Sequence, residues 1–174
     1  MWNNANTHPV DKKPLRIAMI GSGYVGLVVA ACLAEIGHTV VSVDKDVARI
    51  ADLQKGIVPI HEHLIPELLQ RHAPGRLSFT SSLRDAIVDA EVIFIAVGTP
   101  ARENGTTDTS SVEQAAEEIA KSINGYKVLV EKSTVPVSTS DSVVEVLLRN
   151  GVPREMFDVV SNPEFLREGT AVAD

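Results

Sequence analysis

The stretch Arg16-Ile17-Ala18-Met19-Ile20-Gly21-Ser22-Gly23-Tyr24-Val25-Gly26 decides how the rest of the chain is read. A short apolar strand runs directly into Gly21-x-Gly23-x-x-Gly26. A small-residue helical pattern then continues to Ile36, and Gly37 suits the left-handed position after a helix end. Each glycine has a physical task. Gly21 permits a tight turn, Gly23 lets backbone approach a pyrophosphate, and Gly26 lets the helix lie close on the sheet. The unbonded amides at the helix start, with the helix dipole behind them, attract phosphate. The glycine spacing alone is weak. A strand before it, a helix after it and an acid at the end of the next strand make it specific.

Outward from that stretch, strand and helix patterns alternate. Strands are predicted over residues 16–20, 40–43, 77–80, 92–97, 127–130 and 157–160. Helices are predicted over 24–36, 46–54, 65–72, 82–90, 110–123 and from Pro136 to Arg149. Ser82 is placed to cap its helix, and Ser110 with Glu113 reads as a capping box. Right-handed crossovers turn this order into an α/β fold of Rossmann type. It is a doubly wound, parallel six-stranded sheet with helices on both faces and strand order 3-2-1-4-5-6. Ligand then binds at the carboxyl ends of the strands, near the reversal of order. Residues 1–14 are polar and aperiodic and read as a flexible tail, so the domain is expected over 15–174.

Composition bounds the partners. The chain has 174 residues, 44% of them hydrophobic, a formal net charge of −7 and no basic block, which argues against nucleic acid. The mean hydropathy of +0.09 fits a globular domain. A single cysteine, Cys32, excludes an internal disulfide and a cysteine-based zinc site. No leader or bilayer-length apolar run is visible, so no membrane is expected and the cytoplasm is the default location.

The candidate functional segments fall at strand ends. Asp44 ends the second strand, where a carboxylate can accept both ribose hydroxyls of an adenosine and repel a 2′-phosphate. That favours NAD over NADP, although Lys45 and Arg49 place positive charge nearby. A turn-forming Asp is the bland alternative. Gly98-Thr99-Pro100 is either a cofactor contact or an ordinary turn. Ser133-Thr134 can orient water or hold a ligand, but spacing alone favours a helix cap. Glu164, in Asn162-Pro163-Glu164-Phe165-Leu166-Arg167-Glu168-Gly169, is a general base or the acidic start of a solvated helix shared with Glu168. Cys32 reads as buried and inert. His61-Glu62-His63 reads as a surface loop, so no metal is expected.

Gly21-Ser22-Gly23-Tyr24-Val25-Gly26-Leu27, Val43-Asp44, Val97-Gly98-Thr99-Pro100, Lys132-Ser133-Thr134-Val135-Pro136 and Ser161 to Gly169 occur together and in order. In this combination the chain resembles the UDP-glucose/GDP-mannose dehydrogenase family. The resemblance implies a four-electron, NAD-dependent oxidation of a nucleotide sugar, such as UDP-glucose, to its carboxylate with two NAD. It implies a cysteine-bound thiohemiacetal and thioester on the way. Gly21, Ser22, Gly23, Tyr24, Val25, Gly26, Asp44 and Arg49 would hold NAD, and Val97, Thr99, Pro100 and Ser133 would line its far end. Thr134 would position water and Glu164 would serve as base. Glu164, Phe165, Leu166, Arg167 and Glu168 would border the sugar, Glu168 also approaching the nicotinamide. The family's Gly-x-Cys-x-Pro-Lys-Asp-type nucleophile segment has no counterpart here. The resemblance therefore implies the cofactor-binding domain of a longer enzyme, inactive alone, whose full length forms a homodimer or larger assembly. GDP-mannose and UDP-N-acetylmannosamine remain alternative substrates. A stand-alone NAD-binding module and a methyltransferase remain alternative classes. His63-Leu64 also stands where the family usually has Pro-Gly.

Overall fold

The computed structural model describes residues 13–73, 75–136 and 138–173. The tail expected over 1–14 therefore lies almost wholly outside the described residues, and only Lys13 and Pro14 are seen, as exposed coil. Six strands form one parallel sheet: β1 (Arg16–Ile20), β2 (Thr39–Val43), β3 (Leu77–Thr80), β4 (Val92–Ile95), β5 (Lys127–Glu131) and β6 (Phe157–Ser161). Their order is β3-β2-β1-β4-β5-β6, as the alternation predicts. Among the described residues six α-helices join them, α1 (Tyr24–Glu35), α2 (Val47–Gln54), α3 (Ile65–His72), α4 (Leu83–Val88), α5 (Ser110–Ser122) and α6 (Thr139–Arg149), with a short 3-10 turn at Arg154–Met156.

The strands alternate between two cores. Ala18 and Ile20 of β1, with Ile93 and Ile95 of β4, face α4, α5 and α6. Ile17 and Met19, with Val92 and Phe94, face α1, α2 and α3. Successive side chains leave a strand on opposite faces, so strands covered on both sides must be apolar throughout. Helix α1 fits tightly because its small residues Gly26, Ala30, Ala31 and Ala34 are buried. Its only charge, Glu35, sits at the exposed end and bonds Arg71 and His72 of α3.

Several predicted boundaries move. Strand β4 stops at Ile95 instead of Val97, because the Ile95 carbonyl is taken by the amides of both Lys132 and Ser133 as β5 turns away. Ser82 caps α4 as expected, accepting from the Asp85 amide at 3.3 Å. The capping box at Ser110 does not form. Asp108, two residues earlier, accepts the Ser110 amide at 3.0 Å and is held down to about 2, first by that amide and then by Arg102. Helix α6 begins at Thr139, three residues beyond Pro136. Leu64 precedes α3 with φ of 70°, so a branched side chain occupies a left-handed position that glycine fills without strain.

Candidate functional site

The carboxyl edge of the sheet gathers most of the sequence-predicted residues. Gly21 turns the chain at φ of 101°, and a Cβ there would lie 2.3 Å from the Ala96 carbonyl oxygen. A Cβ on Gly26 would lie 1.9 Å from the Gly21 carbonyl oxygen. Both glycines are therefore required by backbone packing. Gly23 differs: it is extended at φ of −73°, and a Cβ would meet nothing within 4 Å. The space above it is open to a ligand. No side chain caps α1, and no acid occupies its first turn. Its leading amides thus face that space with the positive end of the dipole.

The loop is tied to β2 beneath it. The Gly21 amide donates to the Val43 carbonyl at 2.8 Å, and the Ser22 amide donates to Asp44 Oδ2 at 2.8 Å. The Ser22 hydroxyl is buried against Ser42 at 2.9 Å, so its side chain faces the core. Asp44 also accepts from the Asp46 amide at 3.0 Å and from Arg49 at 3.0 Å. A carboxylate has about four lone-pair sites. Three are filled here, leaving one for a hydroxyl; Arg49 must move to free a second. A cavity of about 470 Å³ opens over this edge, touching Gly21, Gly23, Asp44, Arg49, Val97 and Gly98. Its outer wall includes Ser81, Leu83, Gln114 and Ala115, residues that no sequence motif marks. They come from the end of β3 and the faces of α4 and α5, so only the folded topology brings them here.

Thr99, Pro100, Ser133, Thr134 and the 162–169 segment lie outside this cavity lining. Thr99 Oγ1 donates to the Thr134 carbonyl at 2.8 Å, which joins the loops after β4 and β5. Ser133 is not a helix cap. It is buried, its amide donates to Glu131 Oε1 at 2.8 Å, and its hydroxyl donates to the Ile95 carbonyl at 3.3 Å. Glu131, 1% exposed at the end of β5, was not singled out by its pattern. Burial pushes its carboxyl up to about 7, and the Ser133 amide only partly offsets that. Its Oε2 has no hydrogen-bond partner among the described residues.

Residues 162–169 form no helix, so Glu164 and Glu168 do not share a helical face. Pro163 interrupts the chain, and Glu164 Oε2 accepts the Leu166 amide at 2.7 Å, replacing a helical bond. Phe165 is 86% exposed, while Leu166 packs against the α1–α3 core. The hydroxyl of Tyr24 reaches away from the cavity to Glu62. Glu62 is buried, unlike its exposed neighbours His61 and His63, so the expected surface loop holds for the two histidines alone. Cys32 lies half-buried within α1, its thiol pushed up by burial. No cluster able to hold a metal ion is found among the described residues, and no described helix is long and apolar enough to cross a membrane.

A glycine turn after β1, an acid after β2 and an open cavity at the β1/β4 reversal define a dinucleotide-binding domain. The profile of the "UDP-glucose/GDP-mannose dehydrogenase family, NAD binding domain" matches residues 15–174. The chain belongs to that family, and its cofactor is NAD. It is 51% identical over 162 residues to the UDP-glucose 6-dehydrogenase of Rhizobium meliloti strain 1021, covering 92% of this chain and 37% of that protein. A UDP-glucose dehydrogenase structure from Pyrobaculum islandicum superposes with a TM-score of 0.90 at 36% identity, over 97% of this chain and 40% of that one. A ternary complex of GDP-mannose dehydrogenase from Pseudomonas aeruginosa gives 0.88 at 38% identity, over 92% and 38%. The chain thus spans little more than a third of these relatives.

Proposed function

We propose that this chain is the NAD-binding part of a longer enzyme that oxidises UDP-glucose to UDP-glucuronate. One observation carries the reading: the open glycine loop and the Glu164 segment share one edge of the sheet, linked where the Gly169 amide bonds the Tyr24 hydroxyl at 3.0 Å. The geometry suits NAD. Open space over Gly23 and the α1 amides accommodate its pyrophosphate, Asp44 accepts a ribose hydroxyl, and Leu83 with Ala115 offers apolar walls to the adenine. Bound NAD supplies the hydride acceptor. Gly21 and Gly26 permit the close turn, Ser22 ties it to Asp44, Val25 lends its helix-start amide, and Arg49 screens the ribose. Val97, Thr99, Pro100 and Ser133 shape the far end.

The chain's own contribution to hydrolysis is Glu164, which takes a proton from water that Thr134 orients. Residues 165–168 border the sugar, Phe165 offering an exposed ring and Glu168 lying toward the nicotinamide. Cys32 does not provide the nucleophile, because burial within α1 disfavours its thiolate. The thiol comes from a segment outside these residues, so the 174-residue chain alone turns over no sugar.

The test is a substrate panel on the full-length enzyme. UDP-glucose should be oxidised with two NADH formed per sugar. Preference for GDP-mannose or UDP-N-acetylmannosamine would change the substrate but not the cofactor site. Turnover by the isolated 174-residue chain would overturn the division of labour.

A further inference from the structure

Resting on that reading, the way residues 162–169 are fastened assigns a further role to Tyr24, expected from the resemblance to hold NAD, and a role to Glu62, whose oxygen takes the Tyr24 hydroxyl. At the near end, the Asn162 amide donates to the Glu131 carbonyl at 2.9 Å, and Lys132 Nζ donates to Asn162 Oδ1 at 3.2 Å. At the far end, the Gly169 amide donates to Tyr24 Oη at 3.0 Å and to Glu62 Oε2 at 2.7 Å. The Tyr24 hydroxyl donates to that same Glu62 oxygen, closing a triangle. Glu62 is 6% exposed. The Tyr24 hydroxyl and then the amides of Gly169, Val172 and Ala171 hold its carboxyl below the usual range. An anion buried this deeply is costly unless fully paired. Here two pieces of chain far apart in sequence, Tyr24 and residues 169–172, supply partners, both Tyr24 and Gly169 bonding Oε2, while Oε1 is buried with no hydrogen-bond partner among the described residues. Tyr24 is the first residue of α1 and follows Gly23, the open glycine of the loop.

We infer that Tyr24 and Glu62 are positioning residues, a clasp that fixes the Glu164-bearing segment against the cofactor loop. Glu164 lies between the two fastened ends. The clasp sets where its carboxylate stands relative to a dinucleotide on Gly23. Leu64, two residues beyond Glu62, holds its left-handed conformation directly after the clasp.

The test compares Tyr24→Phe, Glu62→Ala and Glu62→Gln in the full-length enzyme, by steady-state kinetics with UDP-glucose and by amide exchange over 162–169. Tyr24→Phe and Glu62→Ala should lower kcat about tenfold, the worth of a hydrogen bond to a charged group, while KM for NAD moves less than about twofold. Amides 164–169 should exchange faster. Glu62→Gln should restore most of kcat, because its amide oxygen accepts the same two donors. An unchanged kcat with unchanged exchange, or lost thermal stability at constant kcat, would overturn the clasp. If Glu62→Ala does not fold, Tyr24→Phe decides, since it removes one hydroxyl. If the parent enzyme oxidises no nucleotide sugar, the functional reading fails, and exchange at Gly169 in Tyr24→Phe alone judges the clasp.

Discussion

The glycine loop and the 162–169 segment occupy one edge of the same sheet and are held in opposite ways. The loop is fixed by backbone against backbone: the carbonyl oxygens of Ala96 and Gly21 lie where any Cβ on Gly21 or Gly26 would stand. The segment is held by hydrogen bonds at its ends and by Leu166 packed on the α1–α3 core, while Phe165 is 86% exposed. The loop glycines are thus prescribed by backbone packing, with Asp44 and Ser42 tying Ser22 from beneath. On the proposed reading, the position of the Glu164 carboxylate depends on side chains from elsewhere, Tyr24 and Glu62.

The sharpest way to break this contrast is Gly26→Ala. The new methyl meets backbone that cannot yield, so stability should fall by about 3 kcal/mol in urea unfolding. A loss under about 1 kcal/mol would show the loop to be adjustable after all. Glu131→Gln leaves the backbone bond from Asn162 to residue 131 in place and probes the buried carboxyl at this edge. Its folded value of about 7 lies above the ordinary carboxyl value of 4.5. The folded state therefore binds more protons, so the stability this group contributes is full below about pH 4.5 and is lost as pH rises through 7. Glutamine removes that slope. Above pH 7 the variant should be about 2 kcal/mol more stable, by thermal melts across pH, while keeping the Ser133 amide bond. Asp44→Ala should weaken NAD about tenfold in titration calorimetry, because it removes a charged acceptor and releases Arg49. The smallest effect is Leu64→Gly, which relieves a left-handed leucine and should raise stability by about 0.5–1 kcal/mol.

The part legible in sequence is the part that local rules determine. Strand alternation, the glycine spacing and Asp44 give the sheet order and the cavity floor, because a residue's face and turn depend on near neighbours. Ser133 looked like a cap by spacing; burial beside Ile95 decides otherwise, and burial is a property of the whole sheet. Glu62 reads as part of a surface loop between two histidines, yet it is buried. Its partners lie 38 and 107 residues away, beyond any local pattern. Ser81, Leu83 and Gln114 escaped for the same reason: they reach the cavity only once β3, α4 and α5 are in place.

Gly23 offers the most direct test, because it alone of the three loop glycines is spared by packing. A titration of NAD into the parent and into Gly23→Val, with melts of both, separates ligand from fold. The account predicts an unchanged melting temperature and NAD binding weakened beyond detection, since the added side chain fills only the space over the α1 amides. Equal NAD affinity in the two proteins would contradict it and place the cofactor elsewhere.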